Sequence, residues 1–151
     1  MKMKILYIIL GVIVVAVLKM FVGNVKTPSN LGVNNGKLAP LPKSPNAVSS
    51  QTDKQDFYVE PFPFKENAMK TKSAISEAIN SYGGGQIVVD EPIYERYLFT
   101  TAGMHYHDDV EFYLDEKAKV VHFRSASRVG YSDMGLNKER YNEIYEYYIN
   151  H

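Results

Sequence analysis

The stretch DVEFYLDEKAKVVHFRSAS (residues 109–127) decides the fold, because it predicts two antiparallel strands joined by a short turn. Apolar and polar residues alternate on both sides of Asp115-Glu116-Lys117-Ala118, as they do in a hairpin with one buried face. A register with Asp115 opposite Ala118 places Asp109 opposite Arg124 on the other face. The side chains expected in the core are Val110, Phe112, Leu114, Val121 and Phe123.

The segments around this hairpin predict further strands and two helices. Residues 86–91 and 95–102 have strand composition, and residues 56–62 predict a short edge strand that contains Pro61. Residues 66–82 predict a helix that Gly83–Gly85 ends, since no Lys-Ser/Thr follows the glycines to make a phosphate loop. A last helix from about Asn137 carries a stripe of tyrosine and isoleucine. The sequence therefore predicts an α+β domain with a mostly antiparallel sheet of about five strands and two helices.

The N-terminus predicts a single membrane-spanning helix. An uncharged apolar run from Ile5 to Leu18 follows MKMK and continues, past Lys19, to Val22. The segment Phe21-Val22-Gly23 is a poor cleavage site, which favours an uncleaved anchor at residues 1–23 over a removed signal peptide. Because the lysines on the two sides nearly balance, the orientation rests on the very short N-terminal tail. We expect a single-pass protein of the cell membrane, with lipid as a partner and the globular part outside the cytoplasm.

Composition separates a basic start from an acidic remainder. The first 43 residues carry +6 and residues 44–151 carry −6, so nucleic acid is not expected as a partner. Residues 24–45 are rich in Pro, Gly, Asn and Lys and predict a flexible linker, which leaves residues 46–151 as the globular domain. The absence of cysteine from the sequence excludes disulfides, thiolate metal sites and cysteine nucleophiles.

Two arginines and two serines near residue 125 predict an anion site. The guanidinium groups of Arg124 and Arg128, the hydroxyls of Ser125 and Ser127 and the turn amides near Gly130 are suited to phosphate, sulfate or a lipid headgroup. The competing interpretation is architectural and is the one we favour: Arg124 pairs with Asp109, and small serines let a helix approach. In the hairpin register Arg128 has no acidic partner, so it is the stronger candidate for an anion contact.

Two catalytic alternatives are weaker. On a strand, His105, His107 and Asp109 share a face and resemble a set of zinc ligands, but the fold must supply a further ligand. Ser125 or Ser127, activated by one of these histidines, is the other alternative, although no nucleophile-elbow motif surrounds either serine. No cofactor is expected.

Three blocks carry a resemblance to a known family. SPNAVSSQ (residues 44–51), DDVEF (108–112) and RSASRVGYSDMGLNKER (124–140) resemble the signature blocks of the domain of unknown function 1499 family. That family often has Cys in the first block, where this chain has Ser44 and Ala47, so any role of such a Cys is absent. The resemblance implies a fold and a membrane or export setting, without an activity. We therefore expect a membrane-tethered, non-catalytic envelope module that binds an anionic small ligand or an envelope protein; the alternative is a metal- or serine-dependent hydrolase.

Overall fold

The computed structural model describes residues 2–151 and confirms the α+β fold, with a long apolar helix in front. The helices are α1 (Lys2–Val25), α2 (Ala68–Tyr82) and α3 (Leu136–Asn150). The strands are β1 (Ala47–Ser49), β2 (Phe62–Pro63), β3 (Gly85–Glu91), β4 (Tyr94–Thr100), β5 (His107–Asp115) and β6 (Val120–Ser127).

All six strands form one antiparallel sheet in the order β1-β6-β5-β4-β3, and β2 pairs with β6 beyond the end of β1. The sequence prediction missed β1, whose three residues are too few to show a period. It also overestimated the strand at residues 56–62, where a 3-10 turn (Gln55–Phe57) leaves only Phe62 in β2. Both short strands exist because the outer edge of β6 offers them backbone partners, which local sequence does not reveal.

The helix-covered face of the sheet, which packs against α2 and α3, contains the core. All five hairpin side chains that the sequence placed there are buried. Phe62 is fully buried at the centre, and its ring lies 5.1–5.7 Å from the rings of Phe112, Phe123, Tyr141, Tyr145 and Tyr148. The edge-to-face geometry of most of these pairs is the favoured one for aromatic clusters.

The register of the β5–β6 hairpin differs from the predicted one by two residues. Asp115 lies opposite Val120, not Ala118, because the loop contains four residues (116–119) and Lys119 takes a left-handed conformation with φ 57°. Asp115 Oδ1 accepts the N–H groups of Lys117 and Ala118 at 3.0 and 2.9 Å. As a result Arg124 lies opposite Glu111, and the predicted pairing of Arg124 with Asp109 is wrong. A two-residue shift preserves which face each side chain occupies, so the core was still predicted correctly.

The opposite face of the sheet is covered by residues 24–42, and we call it the segment-covered face. Gly32 N–H donates to Glu111 Oε1 at 2.9 Å, and Leu38 N–H donates to Gln51 Oε1 at 2.8 Å. Leu38 and Ala39 are buried. These contacts place much of the expected linker against the sheet, and the division of the chain at residues 23 and 45 stays a prediction.

Helix α1 exposes apolar side chains along its length. From Met3 to Val25 it is long and apolar enough to cross a membrane, and none of this span is buried against the domain. A signal sequence near the N-terminus has the same length and composition. The structure therefore supports an N-terminal apolar helix of the membrane-span or signal type.

Candidate functional site

Glu111 lies at the centre of a buried polar cluster on the segment-covered face. It is fully buried, and its carboxylate accepts from Arg124 Nη1 at 2.7 Å, from the Tyr94 hydroxyl at 2.8 Å and from Gly32 N–H at 2.9 Å. Burial, together with the negative charge of Glu111, raises the pKa of Tyr94 far above its ordinary value, so this hydroxyl stays a donor. The cluster links β4, β5 and β6 to the covering segment.

Asp109 forms a second pairing centre on the same face. Its Oδ1 accepts from Arg96 Nη1 at 2.7 Å and from Arg128 Nη2 at 3.0 Å, and its Oδ2 accepts from Arg128 Nε at 2.7 Å. With the Glu111–Arg124 pair, three guanidinium groups therefore share two carboxylates. This part of the segment-covered face carries one excess positive charge in largely buried surroundings, where charge is weakly screened.

A cavity of about 260 Å³ lies between this charged cluster and the covering segment. Its floor contains Asp109, Arg124, Ala126, Ser127 and Arg128, and its walls contain Pro28, Asn30, Leu31, Pro40, Leu41 and Pro42. Arg124 Nε is buried and has no partner among the residues that the structure describes. A buried N–H donor without an acceptor is costly, and an acceptor atom in the cavity would satisfy it.

Arg128 has acceptors for all of its donor atoms, contrary to the sequence prediction that it lacks an acidic partner. Besides its two bonds to Asp109, its Nη1 donates to the carbonyl oxygens of Asn24 at 3.3 Å and Val25 at 3.1 Å. Its Nη2 also lies 3.5 Å from Thr27 Oγ1. These carbonyls end α1, where a helix leaves acceptors unsatisfied and favours a cation. Arg128 therefore fastens the sheet to the end of the apolar helix.

The four residues of the predicted anion site are divided between the two faces. The side chains of Arg124 and Arg128 lie on the segment-covered face, while those of Ser125 and Ser127 lie on the helix-covered face and hydrogen-bond to Asn137 of α3. Ser125 is fully buried. Arg124, Ser127 and Arg128 line the cavity floor, although the Ser127 hydroxyl is bonded to Asn137 on the other face, and Ser125 does not line the cavity. Arg124 and Ser125 are consecutive residues of β6, and consecutive side chains of a strand point to opposite faces of the sheet.

A buried polar network on the helix-covered face was missed by sequence reasoning. Asn137 Nδ2 donates to the Asn46 carbonyl at 3.0 Å, and Arg140 Nη2 donates to Asp108 Oδ2 at 2.8 Å. Asp133 Oδ2 accepts from Asn137 N–H, in the first turn of α3, at 2.8 Å, and the N-cap position of the helix is Gly135. The sequence did contain an indication of this network, because an asparagine and an arginine lie on the apolar side of the last helix. This network fixes β1, β5 and β6 to α3.

The histidines of the predicted metal site serve the end of α1 instead. His105 precedes β5 in a left-handed conformation with φ 51°, so it does not share a strand face with His107. His107 N–H donates to Asn24 Oδ1 at 2.8 Å, and its ring Nδ1 lies 2.9 Å from the Asn24 carbonyl oxygen. Asp109 is held by arginines. Within residues 2–151 the structure contains no group of three or more His, Asp or Glu side chains positioned for a metal ion.

A serine–histidine–aspartate alignment occurs elsewhere, at the end of β1. Ser50 Oγ lies 3.4 Å from His122 Nδ1, and His122 Nε2 lies 4.0 Å from Asp115 Oδ2. Ser50 Oγ also accepts the Phe123 N–H at 2.8 Å, so it already ties β1 to β6. Because 4.0 Å is too long for a hydrogen bond, Asp115 does not orient the ring as a catalytic aspartate would. Burial lowers the pKa of His122. The hydrolase alternative gains no support from this geometry.

Glu95 is the buried carboxyl whose charge changes near neutral pH. It lies on the helix-covered face, with Oε1 3.7 Å from Lys72 Nζ and Oε2 without a partner among the described residues. Burial raises the pKa of Glu95 to about 7, although the Lys72 charge opposes the increase. Lys72 Nζ also forms an ion pair with Asp90 and donates to the Glu91 carbonyl, which weakens its attraction to the Glu95 carboxylate.

These features define a class of protein: an α+β domain on a six-stranded antiparallel sheet, preceded by a long apolar helix. Residues 37–147 match the family model described as protein of unknown function (DUF1499). The chain therefore belongs to the DUF1499 family, as the three sequence blocks indicated. No match was found among curated proteins.

Proposed function

We propose that this chain is a membrane-tethered, non-catalytic binding module whose ligand is a small anion taken into the cavity beside Arg124. The observation that carries the proposal is the buried Arg124 Nε, which has no partner among the described residues and belongs to a side chain in the floor of that cavity. The three arginines and two carboxylates of the segment-covered face leave one positive charge for the ligand to neutralise.

The chemistry of the cavity favours a phosphate, sulfate or carboxylate group. Its proline and leucine walls are apolar, and a less polar surrounding strengthens the attraction between a guanidinium group and an anion. Arg124 supplies the contact, because its Nη1 donates to Glu111 while its Nε has no acceptor among the described residues. Arg128, in the cavity floor, contributes its positive charge rather than a hydrogen bond, since its donor atoms already have acceptors.

The tether in this proposal is α1 with the bilayer as partner, and the domain lies outside the cytoplasm. The length and exposed apolar surface of α1 support the span. With the domain on the outer side of the membrane, the proposed setting is the cell envelope.

The test uses the full chain in a neutral detergent, with melting followed by the near-ultraviolet circular dichroism of its tyrosines. Phosphate or sulfate, compared with sodium chloride at equal ionic strength, should raise the melting temperature. A ligand at about 100 times its Kd adds about 2.7 kcal/mol to the free energy of unfolding.

The discriminating variant is Arg124→Lys, which keeps the charge beside Glu111 and removes the Nε–H donor. We expect it to lose the anion-dependent increase. Arg96→Lys is the matched control, because Arg96 pairs with Asp109 but does not line this cavity, and it should keep the increase. The proposal fails if no anion protects the unmodified chain, or if both variants respond alike.

A further inference from the structure

We propose that the loops 101–106 and 129–135 rest in the headgroup region of the bilayer that α1 crosses, with Met104, Tyr131 and Met134 as the inserted side chains. The inference depends on the proposed tether and goes beyond it. It assigns a second, non-helical membrane contact, and with it a fixed orientation of the domain on the membrane surface.

Hydrogen bonds hold both loops beside the C-terminal end of α1. Asn24 Nδ2 donates to the His105 carbonyl at 2.8 Å, and the Asn24 side-chain oxygen accepts from His107 N–H. Arg128, which directly precedes the second loop, donates to the carbonyls of Asn24 and Val25. The contact is close, because a Cβ placed on Gly23 would lie 3.1 Å from Val129 Cγ1.

The length of α1 fixes the depth of these loops. Its 24 residues extend about 36 Å. The hydrocarbon core of a bilayer is about 30 Å thick, so the ends of a spanning α1 lie among the headgroups. Loops bonded to Asn24 and Val25 therefore lie at the same level.

The side chains that project from the loops suit that environment. Met134 is 98 % exposed, Tyr131 is 79 % exposed and Met104 is 65 % exposed. Tyrosine favours the membrane interface, where its ring is in an apolar layer and its hydroxyl is hydrated. Met104 and Met134 line the same cavity, and large apolar side chains exposed together on a surface mark an interaction site.

The backbone at Met134 supports the same conclusion independently. Met134 takes a left-handed conformation with φ 55°, which glycine or asparagine adopts at lower cost. Its side chain packs against almost nothing in the domain. A methionine that neither suits the turn nor stabilises the fold is explained if its side chain enters lipid.

A cavity of about 220 Å³ between the two loops adds to this apolar surface. Met104, Tyr106, Val129 and Leu136 are among its lining residues, together with Met134. The cavity therefore extends the apolar surface of the loop tips into the domain.

The test exploits the absence of cysteine from the chain, since one introduced cysteine carries one label. The full chain is reconstituted into phosphatidylcholine nanodiscs with the environment-sensitive dye NBD on Met134→Cys or, as a second variant, on Met104→Cys. A spin label near the headgroup end of the lipid chains quenches only dye that reaches it.

Met69→Cys is the matched control. Met69 is an equally exposed methionine (81 %) near the start of α2. Phe64 N–H, just before that helix, donates to the Lys119 carbonyl in the β5–β6 loop, at the far end of the hairpin. The eight residues of β6 separate the two ends by about 26 Å.

We expect loss of NBD fluorescence at positions 134 and 104 and none at 69. Val14→Cys, in the middle of α1, reports the tether alone and is measured with a second lipid, whose spin label lies near the end of its acyl chains. Quenching at 14 by this second lipid, without quenching at 134 and 104 by the first, overturns this inference and leaves the tether standing. Equal quenching at 69 and 134 overturns it as well, because it indicates unoriented adsorption. Absence of quenching at 14 refutes the tether and this inference together.

Discussion

Glu111→Gln tests the corrected register of the β5–β6 hairpin. The variant keeps the size of the side chain and its acceptor for the Tyr94 hydroxyl, but it leaves the buried Arg124 guanidinium without a counter-charge. Breaking one partner of a buried ion pair costs about 3–5 kcal/mol, because the remaining charge stays desolvated. The Arg124–Glu111 pair is in this class, with side chains 7 % and 0 % exposed and 2.7 Å between Nη1 and Oε2.

A double-mutant cycle with Arg124→Met isolates the pair. Removing both charges should cost less than the sum of the two single changes, by about 1–3 kcal/mol of coupling energy. The register predicted from sequence places Asp109 opposite Arg124 instead. A parallel cycle with Asp109→Asn should therefore give a coupling below about 0.5 kcal/mol, since Asp109 is held by Arg96 and Arg128.

Urea unfolding of the full chain in neutral detergent, followed by the tyrosine circular dichroism signal, supplies the free energies. The micelle keeps α1 helical, so the transition reports the domain. A larger coupling for Asp109–Arg124 than for Glu111–Arg124, or a cost of less than about 1 kcal/mol for Glu111→Gln, would refute the structural register.

Further predictions concern pH, packing, metal and topology. Because burial raises the pKa of Glu95 to about 7, its protonation stabilises the folded state below its unfolded value of 4.5, and this stability is lost as the pH rises to about 7. Between about pH 5 and pH 8, the free energy of unfolding of Glu95→Gln, measured by urea titration, should therefore rise by about 1–2 kcal/mol relative to that of the unmodified chain, after allowance for screening. If the difference between the two proteins is the same at both pH values, the raised pKa of Glu95 is wrong. Gly85→Ala should cost about 1–3 kcal/mol by the same assay, since its Cβ would lie 2.6 Å from Ile79 Cγ2 and 2.7 Å from Phe99 Cζ. A metal chelator should leave the melting temperature of the chain unchanged. A drop of several degrees would instead support a bound metal ion with His107 as one of its ligands. Ser29→Cys should react with an impermeant maleimide in intact cells; reaction only after lysis would reverse the proposed orientation.

The core and the fold class were predictable because they depend on periodicity. Alternation in residues 109–127 identified the buried face of the hairpin, and a register error of two residues did not change it. In α3, the tyrosine and isoleucine stripe is buried at Tyr141, Ile144 and Tyr148, while Ile149, one residue before the end of the helix, is exposed. Predictions based on a pattern that repeats over several residues therefore stayed correct when the register or the end of an element was wrong.

The ion pairs and the site were not predictable, because each depends on the length of a turn or on a distant segment. The left-handed Lys119 lengthens the hairpin loop and moves Arg124 from Asp109 to Glu111. Arg128 finds acceptors in Asn24 and Val25, more than a hundred residues earlier in the chain. Nothing in the local composition of residues 24–42 shows that this segment covers one face of the sheet.

The pairing of β1 and β2 with β6 has a kinetic consequence. Residues near 48 and 62 meet partners near 125 and 121, and Phe62 is enclosed only when α3 has also been made. Such distant contacts close slowly, since a long loop must be ordered before any burial compensates. The strands β3 to β6 pair with their neighbours in sequence, so they need no such wait. The β1 and β2 edge and the aromatic cluster around Phe62 are therefore completed only after α3 has been synthesised, which makes the closing of the core the last step of folding on the ribosome.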